Sequence, residues 1–220
     1  AEPRVNYDRI MLSPMLSGEK SFEDIVIHGD GWYIKHGVML YKGHKVVTID
    51  RAAKTVTSEH GAVAEYDKLI VATGSSPFII PVPGHQLAGV VTYRDLDDVH
   101  AMMLAAKTGG KAVVIGGGLL GLEAAAGLQM QGMDVTVLHL MPHLMERQLD
   151  PAAAYLLQRS LESRGIRVHC KANTKEIEGE KRVTGVRLDD GTLYPADIVV
   201  MAVGIRPNAG LAKEAGLTVN

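Results

Sequence analysis

The chain has 220 residues and a formal charge of −2, from 23 Lys and Arg against 25 Asp and Glu. That length suits one large domain or two small ones, at roughly 100–200 residues per domain. With 46% hydrophobic and 22% charged residues, the composition excludes wholesale disorder. The lack of a basic excess excludes a nucleic-acid binder working by bulk charge.

The longest uncharged apolar stretch, residues 112–122, falls short of the roughly 20 residues a membrane helix needs. No basic-then-apolar leader opens the chain. Cys170 is the single cysteine, so an internal disulfide and a CxxC redox pair are excluded. A cytoplasmic location without membrane or nucleic-acid partners is the expectation. Cys170 itself sits in an apolar run and reads as an inert thiol.

Residues 1–45 are broken by Pro3, Pro14, Gly18, Gly29, Gly31, Gly37 and Gly43, so only short elements fit. Residues 21–27 suit a helical turn with Glu23 and Asp24 near its start. Three short β-rich runs follow at 46–49, 56–59 and 63–66, joined by tight turns as in an antiparallel meander. Residues 69–72, Leu-Ile-Val-Ala, read as a buried parallel strand ending at Thr73-Gly74. The proline-rich 75–93 reads as a link between domains. Residues 95–107 predict an amphipathic helix with acids in its first turn, stopped by Gly109-Gly110.

A buried strand is predicted at 111–115, a helix at 122–131, a strand at 134–140 and a helix at 151–164. The last has Asp150 as N-cap and Pro151 at its first position. A strand at 166–170, hairpin-like runs at 174–178 and 183–188, an Asp189-Asp190-Gly191 turn and a strand at 197–203 complete the reading. The segment 66–74 echoes 196–204: an acid, an apolar run, then glycine.

The sharpest signal is Gly116-Gly117-Gly118-Leu119-Leu120-Gly121, placed after an apolar strand and at the opening of a helix. A Gly-x-Gly-x-x-Gly run in that context is a dinucleotide-binding loop. Gly116 permits the tight turn and Gly118 lets the backbone approach a pyrophosphate. Gly121 lets the helix pack closely, and free N–H groups at the helix start face the phosphates. A glycine turn without a ligand is the alternative. An acidic residue is expected roughly 20 residues later to hold a ribose. His139 stands there instead, either as an exposed strand end or as a ribose contact, which leaves NADH against NADPH open. Glu123 is either a helix-dipole residue or a contact near a nicotinamide. The nine histidines are scattered, and Pro142 between His139 and His143 breaks the helical spacing a zinc pair needs.

Residues 66–74 (YDKLIVATG), 113–123 (VVIGGGLLGLE) and 202–208 (AVGIRPN) together resemble the FAD-dependent pyridine nucleotide–disulfide oxidoreductase superfamily. Residues 7–13 (YDRIMLS), 138–142 (LHLMP) and 145–150 (MERQLD) resemble, within it, the reductase part of the NAD(P)H-dependent nitrite reductase large subunits. The resemblance covers essentially the whole chain. It implies an α/β fold: a Rossmann-like NAD(P)H-binding domain with a parallel sheet and a β-meander at 106–220, behind a partial FAD-binding domain at 1–105. It implies hydride transfer from NAD(P)H to FAD, with electrons passed on to nitrite through a downstream siroheme and iron–sulfur portion. Glu123 and Gly204 fall near the nicotinamide, and Arg9, Ser13, Thr73 and Gly74 on the flavin side.

The departures are specific. No Gly-x-Gly-x-x-Gly precedes residue 116, and no closing Gly-Asp pair follows. The chain is therefore expected to be part of a longer protein, to which FAD belongs. Residues 1–95 lack the first strands of the FAD-domain sheet, so an exposed sheet edge and some homodimerisation or disorder are expected. A ferredoxin or rubredoxin reductase, and a non-catalytic nucleotide-binding module, are the alternatives.

Overall fold

The computed structural model describes residues 2–219. After a single 3-10 turn at Arg9–Met11 come α1 (Leu12–Leu16), α2 (Phe22–Ile25) and α3 (Asp30–Lys35). The strands β1 (Val46–Asp50), β2 (Thr55–Ser58), β3 (Val63–Glu65), β4 (Ser75–Pro77) and β5 (Val90–Thr92) lead to α4 (Leu96–Lys107). Then follow β6 (Lys111–Ile115), α5 (Leu119–Met130), β7 (Asp134–His139), α6 (Pro151–Ser163) and β8 (Arg167–Cys170). The chain closes with β9 (Thr174–Gly179), β10 (Val183–Leu188), β11 (Leu193–Pro195), β12 (Ile198–Met201), β13 (Ile205–Pro207) and α7 (Gly210–Glu214). Among the described residues no helix is long and apolar enough to cross a membrane.

Two compact units form. One holds the described residues of Ala1–Asp8, Ile25–Ser76 and Arg206–Asn220; the other holds Arg9–Asp24 and Pro77–Ile205. The expected division at 105/106 falls inside α4, and the chain instead passes between units at 8/9, 24/25, 76/77 and 205/206. The reason is packing: α1 lies against α4 and α5, so residues 9–24 join the later part of the chain. The proline-rich segment is likewise no free linker beyond residue 76. Pro83 O accepts a hydrogen bond from Ile177 N, and β5, absent from the sequence reading, joins a sheet.

The first unit contains the predicted meander, β1–β2–β3, with Ile49 opposite Val56 and Val56 opposite Ala64. The Asp50 carboxylate accepts from the Ala52 and Ala53 amides and so closes the first turn. The unit's buried apolar side chains are Tyr7, Ile25 and Ile49. The 69–72 run does not form the expected strand. Ile70 is 89% exposed, and among the described residues no strand pairs with the run. An apolar run becomes a strand only where a neighbour takes its N–H and C=O groups. The echo with 196–204 is thus one of sequence alone.

The second unit is built on a five-stranded parallel sheet in the order β5-β12-β6-β7-β8. Its central strands are apolar on both faces, as parallel strands covered on both sides must be. Val113 and Ile115 of β6 and Val199 and Met201 of β12 bury into one cluster with Ile177, Val186 and Leu188 of the β9–β10–β11 antiparallel sheet. Ala112, Val114, Ile198 and Val200 alternate with them and are buried as well. Helix α5 packs on β6 and β7, with α1 and α4 beside it. Gly127 permits this contact, because a Cβ there would stand 2.7 Å from Leu16 Cγ. Chain order reverses at β6, with β7 on one side and β12 on the other, which is where sheets of this kind bind ligands beyond the carboxyl ends of their strands.

Candidate functional site

The glycine run lies at the carboxyl end of β6, at that reversal. Helix α5 begins at Leu119, three residues earlier than the sequence suggests, with Gly118 as its N-cap. Gly116 has φ +121° and turns the chain sharply; a Cβ on it would collide with Ala202 O at the end of β12. A Cβ on Gly121 would collide with Gly116 O, and one on Gly117 would lie 2.5 Å from Leu144 Cδ2 and 2.7 Å from His139 Cγ. The protein itself therefore requires these three glycines. Gly118 differs: its φ is an ordinary −86°, and a Cβ would meet nothing within 4 Å.

The helix starts unlike the other long helices of this unit. Asp95 and Asp98 form a capping box on α4, and Asp150 accepts from Ala153 N at 2.8 Å to cap α6. No side chain caps α5. Its first N–H groups have no intrahelical partner and carry the positive end of the helix dipole. They open beside a Gly118 whose missing side chain leaves room outside the protein. That is a cradle an anionic pyrophosphate fits.

His139 is not the exposed strand end proposed as one of its two readings. It is 7% exposed, and its Nδ1 accepts the Gly117 amide at 3.0 Å. Its Nε2 lies 3.1 Å from Glu146 Oε2. Glu123, read as a dipole residue or a nicotinamide contact, has left the helix backbone alone and accepts from Ser13 Oγ at 2.6 Å. Ser13 Oγ is also 2.7 Å from the Tyr93 hydroxyl, so α1, the end of β5 and α5 meet in one hydrogen-bonded chain. These residues line a cleft of about 240 Å³ together with Arg9, Leu119 and Leu120. Burial pushes the Tyr93 phenol up to about 12, and the Glu123 charge adds to it. Tyr93 remains a neutral donor at neutral pH.

Gly204 has φ +122° and its carbonyl accepts from Phe78 N. Arg9 donates to Arg94 O at 2.8 Å. In the other unit, Thr73 Oγ1 donates to Asn208 O at 2.7 Å, and Gly74, φ +67°, accepts from Asn208 N. The four expected flavin-side residues are thus divided, Arg9 and Ser13 in one unit and Thr73 and Gly74 in the other. Among the described residues no group of three His, Cys, Asp or Glu stands where it could hold a metal. Burial raises the Cys170 thiol above its ordinary pKa. Sequence reasoning missed Tyr93 and Glu146. Tyr93 follows the three-residue β5, which gains its identity from β12, and the 145–150 run holds Glu146 without marking it as a partner of His139.

The sequence profile of the pyridine nucleotide-disulphide oxidoreductase family matches residues 1–220. The chain is 50% identical to the nitrite reductase [NAD(P)H] of Bacillus subtilis (strain 168), covering 100% of this chain and 27% of that protein. It is 40% identical to the nitrite reductase (NADH) large subunit of Escherichia coli (strain K12), covering 99% of this chain and 26% of that one. The chain therefore spans about a quarter of these curated relatives. Among solved structures, the ferredoxin reductase for the CYP199A2 system of Rhodopseudomonas palustris superposes with a TM-score of 0.93 at 31% identity, covering 100% of this chain and 55% of that one. An uncapped glycine loop at the reversal of a parallel sheet and a match along the full sequence lead to the same place: the chain belongs to the pyridine nucleotide-disulphide oxidoreductase family.

Proposed function

We propose that the chain is the nucleotide-binding part of an NAD(P)H-dependent flavoprotein oxidoreductase which, in a longer cytoplasmic protein, feeds electrons toward nitrite. The observation that carries the nucleotide reading is Gly118: nothing within the protein requires a glycine there, while its three neighbours are each needed for packing. In this reading Gly116, Gly117, Gly118, Leu119, Leu120 and Gly121 form the phosphate cradle. Glu123 and Gly204 lie toward the nicotinamide end. The unit of Arg9–Asp24 and Pro77–Ile205 supplies the NAD(P)H domain, and the other unit contributes part of an FAD domain.

Binding of FAD and NAD(P)H is general to the family. Bound NAD(P)H supplies a hydride, and the protein's task is to hold and orient it. The cradle fixes the pyrophosphate through backbone N–H groups. The Tyr93–Ser13–Glu123 chain holds a carboxylate in a fixed direction at the cleft and keeps it paired with the Ser13 hydroxyl. The flavin side is thinner. The Arg9, Ser13 and Thr73 side chains are already engaged within the protein, and the sequence holds no second Gly-x-Gly-x-x-Gly run. These residues do not make an FAD site by themselves.

The test is NADH and NADPH titration of the purified 220-residue chain, with its visible spectrum recorded. Saturable binding without flavin absorbance is expected, and ferricyanide reduction only where the rest of the protein and FAD are present. Absence of saturable binding of either nucleotide overturns the reading. The likeness to a ferredoxin reductase favours a second reading, in which the electrons pass to a small iron–sulfur protein. Cysteines spaced for a siroheme–iron–sulfur centre further along the parent sequence would decide for nitrite.

A further inference from the structure

We infer that His139 is a positioning residue for the phosphate loop and makes no ribose contact: with Glu146 it holds the Gly117 peptide so that the N–H groups from Gly118 onward meet a nucleotide's phosphates. This deepens the nucleotide reading above and rests on it. The ring ends β7 and is buried, with both nitrogens used within the protein. Because the Gly117 N–H donates to Nδ1 at 3.0 Å, Nδ1 carries a lone pair and the ring proton sits on Nε2, facing the Glu146 carboxylate at 3.1 Å. A ring so committed has no donor or acceptor left for a ribose hydroxyl.

The grip on Gly117 is two-sided. Its N–H goes to His139, and its carbonyl accepts from Met145 N at 3.0 Å. Met145 holds φ +53°, a conformation that persists only where the surroundings impose it. Leu144 beside it is fully buried, and any Cβ at 117 would meet both Leu144 and His139. The segment from His139 to Glu146 thus holds both peptide groups that flank Gly117, the N–H of one and the carbonyl of the other. One consequence is that the Gly117 N–H is withdrawn from the set available to phosphate. The other is that the next N–H groups, at the uncapped start of α5, are aimed by a fixed neighbour.

Three substitutions in the 220-residue chain test this. His139→Phe keeps the bulk and removes the acceptor. His139→Asn places an amide oxygen near the site of Nδ1. Glu146→Ala removes the second anchor at a side chain that is 27% exposed, so it leaves the fold intact even where the Phe variant fails to fold. ADP, 2′-deoxy-ADP and NADH are the probes, and the exchange rate of the Gly117 amide is followed in the free protein. His139→Phe is expected to weaken ADP and NADH alike by about tenfold, the scale of one lost buried hydrogen bond. Glu146→Ala weakens both by about threefold, since a partly exposed partner is worth less. His139→Asn recovers most of the affinity. Gly117 exchange accelerates in the Phe and Ala variants and stays slow in the Asn variant. The affinity ratio of ADP to 2′-deoxy-ADP is unchanged throughout.

A ratio that collapses toward one in either His139 variant places the ring on the ribose and overturns the proposal. Equal losses in Asn and Phe, or Gly117 exchange unmoved in both the Phe and Ala variants, overturn it as well. If the unmodified chain binds neither ADP nor NADH, the nucleotide reading fails. The exchange data then decide by themselves whether His139 clamps the loop.

Discussion

Adding a methyl group at Gly118 separates a glycine kept for the fold from one kept for a ligand. Its φ of −86° suits alanine and a Cβ meets nothing within 4 Å, so Gly118→Ala is expected to leave the melting temperature within about 2 °C. NADH affinity should nevertheless fall at least about tenfold, because the methyl occupies the phosphates' approach. Gly116→Ala is the contrast: φ +121° and the Ala202 carbonyl both oppose it, so it should lower the melting temperature by several degrees or abolish folding. Thermal melts beside NADH fluorescence titrations check the pair, and a Gly118→Ala protein as unstable as Gly116→Ala would place the requirement inside the fold. Tyr93 gives a second test, in pH. Its phenol is raised to about 12, chiefly by burial, so the folded protein holds that proton more tightly than the unfolded chain does. The stability this contributes is complete below the unfolded pKa of roughly 10 and is lost as pH rises through about 12. A tyrosinate absorbance titration should show a late step that Tyr93→Phe removes; a Phe variant with the same titration would refute the assignment. The glycines were legible in the sequence because a strand, a turn and a helix sit next to one another along the chain. The Tyr93–Ser13–Glu123 chain was not, since its members lie 80 and 110 positions apart and meet only through packing.

Helix caps were legible for the same local reason. Asp150 before Pro151 is a start signal complete within two residues, and the structure places the Asp150 carboxylate on the Ala153 amide. Asp150→Ala should destabilise the second unit by about 1 kcal/mol, seen as a fall of roughly 2–4 °C in a thermal melt. No change would show that water replaces the carboxylate at this exposed end. Strands were legible where their apolar runs were long and buried on both faces, as in β6 and β7. They were not where pairing decides. Val90–Thr92 has three residues and gains its identity from β12, a partner more than a hundred positions later. Residues 69–72 carry a stronger strand signal than β5 and form none, because no described strand lies beside them. Strand propensity measures how well a run fits against neighbours, and two runs of similar composition part company when only one has them.

At the scale of the whole chain the apolar side chains are unevenly used. The second unit buries both faces of its sheet, whereas the first has Tyr7, Ile25 and Ile49 buried and leaves Ile34 81%, Met39 76% and Ile70 89% exposed. Local opening free energy follows buried apolar contact, so amides of β1 to β3 should exchange sooner than those of β6, β7 and β12. Mass-resolved hydrogen exchange reads the order directly. An exposed apolar run that no described strand pairs is also a template for another copy of the same run, so if the chain self-associates, residues 69–72 are where the contact is expected. Ile70→Lys tests that location cleanly. The side chain has almost no contacts to lose, so stability should stay within about 0.5 kcal/mol. Burying an isoleucine between copies is worth roughly 1.5–3 kcal/mol, and a lysine there would have to be desolvated, so sedimentation should show self-association weakened by about tenfold or more. Association undiminished in Ile70→Lys would move the interface elsewhere. A lower melting temperature at concentrations where the protein is monomeric would show that Ile70 is packed within its own chain.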